Sequence, residues 1–317
     1  GEAGRAPTPH RCALRIDRSI FAGLDQLRVA APMPAGGGRP GDRRSRARGR
    51  GVELADFRPY APGDDLRLVD WNVFARLESV LVRLFHEDRD LSIVIVVDAS
   101  ASMGFGTPRK LDHAGELAAC LAFLALRTRD RVRVVVGRRA VGAGGARVGG
   151  AVATGDHVGA LAAIVGSLER VEPDGIADLG ATLAIEAERG RADQAFLLTD
   201  LLVEPDVRDA TLRRLAAVAV RPVLLHVLGD GELSPDLDDG GVLVDAETGE
   251  EVPVRGGRGA ARAYAEGLAR WRGEVEARCA DLGVVYAPAF TTAPARALIA
   301  GDLRRRRVVE ATRGGGR

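Results

Sequence analysis

Cysteine is scarce: three residues in 317, and far apart. Cys12, Cys120 and Cys279 are odd in number and fit neither a disulfide framework nor a zinc knuckle, so the chain reads as a protein of a reducing cytoplasm. Long apolar runs are missing as well. None reaches the roughly eighteen residues of a membrane-spanning helix, and no charged-then-apolar leader opens the chain. The first residue is Gly, which leaves an upstream segment open. An excess of one charge is also missing. The 45 basic and 44 acidic residues nearly cancel, which excludes whole-molecule attraction to nucleic acid. Lysine is scarce beside arginine while Ala and Gly are abundant, which reads as the codon bias of a GC-rich genome.

What is present is organised around SIVIVVDASASMGFG, residues 92–106. Ile93 to Val97 is an unbroken β-branched run, fitting a strand buried on both faces in the middle of a parallel sheet. It ends in Asp98, Ser100 and Ser102, which deliver one carboxylate and two hydroxyls to the carboxyl edge of the sheet, where open α/β sheets bind ligands. These are hard oxygen donors, two of them neutral, and they suit Mg²⁺ or Mn²⁺ better than zinc. A Ser-rich turn capping the next helix is the plainer alternative. The D-x-S-x-S spacing after a buried strand resembles the metal-ion-dependent adhesion site of von Willebrand factor A domains.

The rest of the chain alternates. Helical periodicity covers 110–128, 156–168, a stretch ending near 188, 206–219, 260–282 and 294–303. Further buried strands are expected at 131–137, 194–202, 221–228 and 284–290, the second of these ending in Thr199 and Asp200. Residues 138–150 are Gly-rich without a phosphate-loop pattern, and 241–255 read as a hairpin insertion around the turn 245–249. Strands alternating with helices specify an α/β doubly wound fold. Upstream, Ile16, Ile20, Leu24 and Leu27 fit one face of a short helix over 16–29. Residues 39–50 hold six arginines, either a solvated basic linker or a stretch that meets phosphates or an acidic partner.

Between linker and strand, Pro59, Pro62, Gly63, Asp64 and Asp65 mark a turn, Trp71, Phe74 and Phe85 are candidate apolar anchors, and residues 79–85 alternate as a half-buried strand. The run R-x-Y-x-x-G-D-D-x-R-x-x-D-W-x-x-x-A-R is carried by Arg58, Tyr60, Gly63, Asp64, Asp65, Arg67, Asp70, Trp71, Ala75 and Arg76. It resembles the signature of domain-of-unknown-function family fifty-eight, whose members pair it with a von Willebrand A-like D-x-S-x-S strand. The resemblance covers about residues 45–300. Its charged residues can lock a bent loop by charge-assisted hydrogen bonds or serve chemistry. His86, Glu87 and Asp88 form a second, weaker candidate ligand set.

The resemblance implies a von Willebrand A arrangement with one short antiparallel edge strand. It implies a divalent ion on Asp98, Ser100, Ser102 and Asp200, the last through water. It places a further ligand, normally Thr, at Ala177, so Mg²⁺ or Mn²⁺ binding is expected to be weak; Asp178 reads as a helix cap. It also implies a partner class, MoxR-type AAA+ ATPases, with the chain acting as a non-enzymatic adaptor in protein remodelling or maturation. The alternatives are a Mg²⁺-dependent phosphoester hydrolase, for which no nucleophile–base pair stands out, and nucleic-acid binding through residues 39–50. The expected organisation is an N-terminal helix and basic linker over 1–50, the signature segment over 51–91 packed on the main domain, that domain over 92–303, and a basic flexible tail over 304–317.

Overall fold

The computed structural model describes residues 14–32, 52–61, 69–77, 80–87, 90–138, 150–235, 240–254 and 256–312. The chain divides into two compact units, residues 34–90 in one and residues 1–33 with 91–317 in the other.

The larger unit is built on six strands: β1 (Ser92–Asp98), β2 (Arg131–Gly137), β3 (Gly150–Gly155), β4 (Ala192–Thr199), β5 (Ala219–Leu228) and β6 (Val285–Phe290). They lie in the order β6-β5-β4-β1-β2-β3. All neighbours are parallel except β3, which runs antiparallel to β2 at one edge. This is the mostly parallel α/β sheet expected from the sequence. The β-branched run of β1 explains its central place. Side chains alternate across a strand, so Ile93, Ile95 and Val97 enter one core cluster while Val94 and Val96 enter another. The first cluster packs on α1 (Lys110–Arg127), through Leu117, Leu121 and Leu124. The second packs on three helices: Leu183 of α3 (Leu179–Glu188), Leu212 and Leu215 of α4 (Pro205–Val218), and Val275 of α5 (Arg258–Asp281). A shorter helix, α2 (Leu161–Leu168), joins the first face through Ile164 and Leu168. Burial on both faces is what an uninterrupted apolar run demands.

Two sequence expectations are corrected here. Residues 16–29 are not a helix: they make a 3-10 turn at Arg18–Phe21 and a strand, Leu27–Val29. Gly23 sits at φ +80°, a left-handed position that breaks the helical path. Phe21 stacks on Phe123 of α1 at 4.8 Å, so the apolar spacing serves packing on another helix. The chain from 304 is likewise not a free tail as far as Thr312. Val309–Ala311 pairs antiparallel with Leu27–Val29, and Val308 and Val309 are fully buried.

In the smaller unit Val52–Pro59 pairs antiparallel with Leu81–Glu87. The helix Trp71–Leu77 is capped by Asp70, whose Oδ1 accepts from Val73 N at 3.2 Å. Asp70 is buried. Trp71 and Phe74 are not core anchors: they are 58% and 40% exposed and meet edge to face. Tyr60 is half-buried and Arg76 exposed. Arg58 lies in the first strand. Gly63, Asp64, Asp65 and Arg67, Asp88 and the linker 39–50 lie outside the described residues, as do the side chains of Ala75, Phe85, His86 and Glu87.

Candidate functional site

The order of strands reverses between β1 and β4, the topological switch point of the sheet. At such a point connections leave to opposite faces and a crevice opens beyond the carboxyl ends. Asp98 closes β1, and Asp200 follows β4 directly. The fold thus brings together the two acids singled out in the sequence.

The D-x-S-x-S loop is tightly tied. Asp98 Oδ1 accepts from Ser100 N at 2.9 Å, and Oδ2 accepts from Thr199 Oγ1 at 2.6 Å. The hydroxyls of Ser100 and Ser102 lie 3.0 Å apart. The loop preceding α3 clamps it through backbone bonds, Asp174 N to Ala99 O at 2.9 Å and Ala101 N to Gly175 O at 2.8 Å. Ala177 lies in that clamping loop, half-buried against the second core cluster. Asp178 caps α3, accepting from Ala181 N at 2.7 Å. Leu201, just past Asp200, is buried at φ +51°, a left-handed conformation that a bulky side chain rarely adopts. Strain of this kind persists only where surrounding structure enforces it, and it gathers at functional sites.

Asp200 has a partner the sequence reading did not name. Lys110, at the start of α1, places Nζ 2.7 Å from Asp200 Oδ2 and also on Glu232 Oε1, with only 2% of its side chain exposed. Burial by itself would depress the ammonium, but the charges of Asp200 and Glu232 outweigh it and the net shift is upward, so Lys110 is charged. Glu232 is fixed in turn, its Oε2 accepting from Gly229 N at 2.8 Å and its carbonyl accepting from the Tyr264 hydroxyl at 2.8 Å. His226 closes the floor. Burial holds it near a pKa of about 4, hence neutral, with Nε2 on the Asp200 carbonyl and Nδ1 on the Tyr286 hydroxyl, both at 3.0 Å. A neutral ring facing a carbonyl carries its proton on Nε2, so Nδ1 accepts from the tyrosine.

Asp98 has no such ammonium. Burial, then the charge of Asp200, push its carboxyl well above the usual carboxylate range, against the hydrogen bond from Thr199. A further acid comes from the hairpin Gly241–Val244 with Glu251–Val254: Ser102 Oγ donates to Glu247 Oε1 at 3.3 Å. The contacts described here put Asp200 and Glu232 on one ammonium, and Asp98 and Glu247 on the hydroxyls of Thr199 and Ser102.

Residues 56–274 match the family described as protein of unknown function DUF58. The chain belongs to the DUF58 family. Uncharacterized proteins of Mycobacterium tuberculosis and Mycobacterium bovis are 32% identical to it over 240 residues, 74% of this chain and 73% of theirs. Among solved structures, the conserved hypothetical protein BatB from Bacteroides thetaiotaomicron aligns with TM-score 0.39 at 13% identity, over 68% of this chain and 98% of that one. A von Willebrand factor type A protein from Catenulispora acidiphila aligns with TM-score 0.35 at 17% identity, over 73% and 44%.

In this DUF58 chain the signal for Lys110 was in plain view. Of its 45 lysines and arginines, Lys110 is the only lysine. A chain that writes Arg everywhere else and keeps one Lys at a buried acid pair is using the smaller, point-like cation for its size. Glu232 and Glu247 carried no local signal, being 122 and 145 residues from the groups they meet. Among the described residues no three His, Cys, Asp or Glu side chains converge as a metal centre; the candidate set mixes carboxylates with hydroxyls. No described helix is long and apolar enough to cross a membrane.

Proposed function

We propose that this DUF58 chain is a non-enzymatic protein-binding module that holds a divalent ion, Mg²⁺ or Mn²⁺, at the carboxyl edge of its sheet. Asp98, Ser100 and Ser102 are the direct donors, and Asp200, held by Lys110, contributes charge and a water-mediated contact. The supporting observation is the imbalance of charge at the switch point. Buried carboxylates outnumber the ammonium among them, and burial, then the charge of Asp200, raise the Asp98 carboxyl. A hard divalent ion relieves that imbalance and accepts neutral hydroxyl donors readily. With few protein charges on it, the ion stays attractive to a carboxylate side chain of a partner. The family resemblance supplies the partner class, a MoxR-type AAA+ ATPase, with the module as adaptor in remodelling or maturation.

Calorimetric titration with Mg²⁺ tests the ion, comparing the native chain with Asp98→Ala. Binding in the first and none in the second is expected; equal binding moves the site elsewhere. Pull-down of a MoxR-type ATPase with and without EDTA tests the partner, the complex being expected to fall apart when the ion is removed.

A further inference from the structure

In the hairpin Gly241–Val244 with Glu251–Val254, Val242, Val244 and Val252 are all more than half exposed, while Val254 is half-buried. The tip of the hairpin is hydrogen-bonded within itself. Asp245 Oδ1 accepts from Glu247 N at 2.8 Å and Thr248 N at 2.7 Å, Asp245 O accepts from Gly249 N at 2.9 Å, and Gly249 takes φ +75°. An aspartate bonding its own turn in this way fixes the direction of the residue it caps. From residue 244 to 250 every residue is exposed except Glu247, which is half-buried because its carboxylate reaches down to Ser102. The self-bonded turn thus holds one of its side chains, Glu247, against the D-x-S-x-S loop.

We infer that Glu247 is an internal ligand of the ion site: the chain's own carboxylate occupies the position that a partner's acidic side chain takes, and partner binding is an exchange of one carboxylate for another. This rests on the ion-binding reading above. The ion then has two direct carboxylates, Asp98 and Glu247, with the two serine hydroxyls and water completing a hard oxygen shell. Asp200 stays with Lys110 and does not compete. The partner's recognition element is correspondingly defined as an exposed Asp or Glu that can replace Glu247. The displaced hairpin, with its bare valines, flanks the site and lies next to whatever binds there.

Mn²⁺ is the probe, on the full chain, read by titration and by water-proton relaxation of the bound ion. The variants are Glu247→Ala and Glu247→Gln, on a tip where neither disturbs a core, with Asp98→Ala as the control. If Glu247 is a ligand, losing its charge weakens Mn²⁺ binding about tenfold, as affinity follows the charge count of the shell, and raises relaxivity because water takes its place. Glutamine behaves like alanine in this test, although it keeps the hydrogen bond to Ser102. Acetate then lowers the relaxivity of the loaded variants again and leaves the native chain unchanged. If Asp98→Ala abolishes Mn²⁺ binding while both Glu247 variants match the native chain, the internal ligand is refuted and the ion site stands. If the native chain binds no Mn²⁺, both readings fall.

Discussion

The two acids at the switch point are alike in burial and opposite in electrostatics. Asp98 and Asp200 end neighbouring parallel strands, and both are almost wholly buried. Asp200 is neutralised by the Lys110 ammonium at 2.7 Å, whereas Asp98 is met by the Thr199 hydroxyl and by Ser100, neither of them charged. One half of the site carries its cation as part of the chain; the other half is left needing one. On the proposed reading, the difference puts an exchangeable ion on the Asp98 and serine side, while Lys110 supplies the charge that meets Asp200.

The largest expected effect breaks the Asp200 half. Lys110→Met removes a buried cation from two acids and is expected to destabilise the fold by roughly 3–5 kcal/mol, the cost of breaking a buried pair by removing one partner. Asp200→Asn, which orphans Lys110 only in part because Glu232 remains, is expected to cost about 2 kcal/mol. Urea unfolding of the ion-free proteins measures both. Native-like midpoints for Lys110→Met mean that the pair does not carry the charge balance of the site.

The Asp98 half should respond with the opposite sign. Asp98→Asn removes a charge that has no cation, while its amide can still bond Thr199 and Ser100, so the ion-free variant is expected to gain about 1 kcal/mol while losing Mg²⁺ binding. pH sharpens the contrast. Burial and Asp200 raise the Asp98 carboxyl to about 7 from an ordinary 3.8. An acid raised in the fold is destabilising while ionised, so the advantage of Asp98→Asn is fullest above about 7. It shrinks as pH falls through that value, and is gone near 3.8, where the acid is protonated in both states. An advantage that grows on acidification contradicts the raised carboxyl.

The same contrast marks what could be read in the sequence. Asp98, Ser100 and Ser102 fall within five consecutive positions behind an apolar run, so local spacing announces them, and Asp200 ends a similar run. The central strands were legible for the same reason: β-branched runs buried on both faces have few other uses. Residues 16–29 misled because a spacing of four also suits a chain lying across a helix, which is what Leu14 and Phe21 do on α1. The strand Val309–Ala311 was hidden behind four arginines whose composition speaks of a tail, while its pairing partner lies at the other end of the chain. Lys110, Glu232 and Glu247 become a site only through contacts spanning 90 to 145 residues, which no local pattern encodes.

The smallest expected effect extends the comparison to the loop before α3, where the adhesion-site Thr position is Ala177. That loop is already fastened to the D-x-S-x-S loop by Ala101 N to Gly175 O and Asp174 N to Ala99 O, so a threonine adds an oxygen without having to order the backbone. Mg²⁺ keeps waters readily, and at the proposed site one of them would serve in place of the missing hydroxyl. What the water lacks is a fixed position. Ala177→Thr is therefore expected to tighten Mg²⁺ binding only about threefold, the scale of a single neutral hydrogen-bonding group, and to move the urea midpoint little. Calorimetry on the paired proteins measures it. The methyl of Ala177 packs against the cluster that holds Leu179 and Leu183. If Ala177→Thr leaves Mg²⁺ affinity unchanged, position 177 belongs to that core, and the ion is held by Asp98, Ser100 and Ser102 without the loop before α3. A tightening as large as the loss in Asp98→Asn would instead make that loop an equal partner in the site, and the division between a half with a built-in cation and a half without one would no longer describe it.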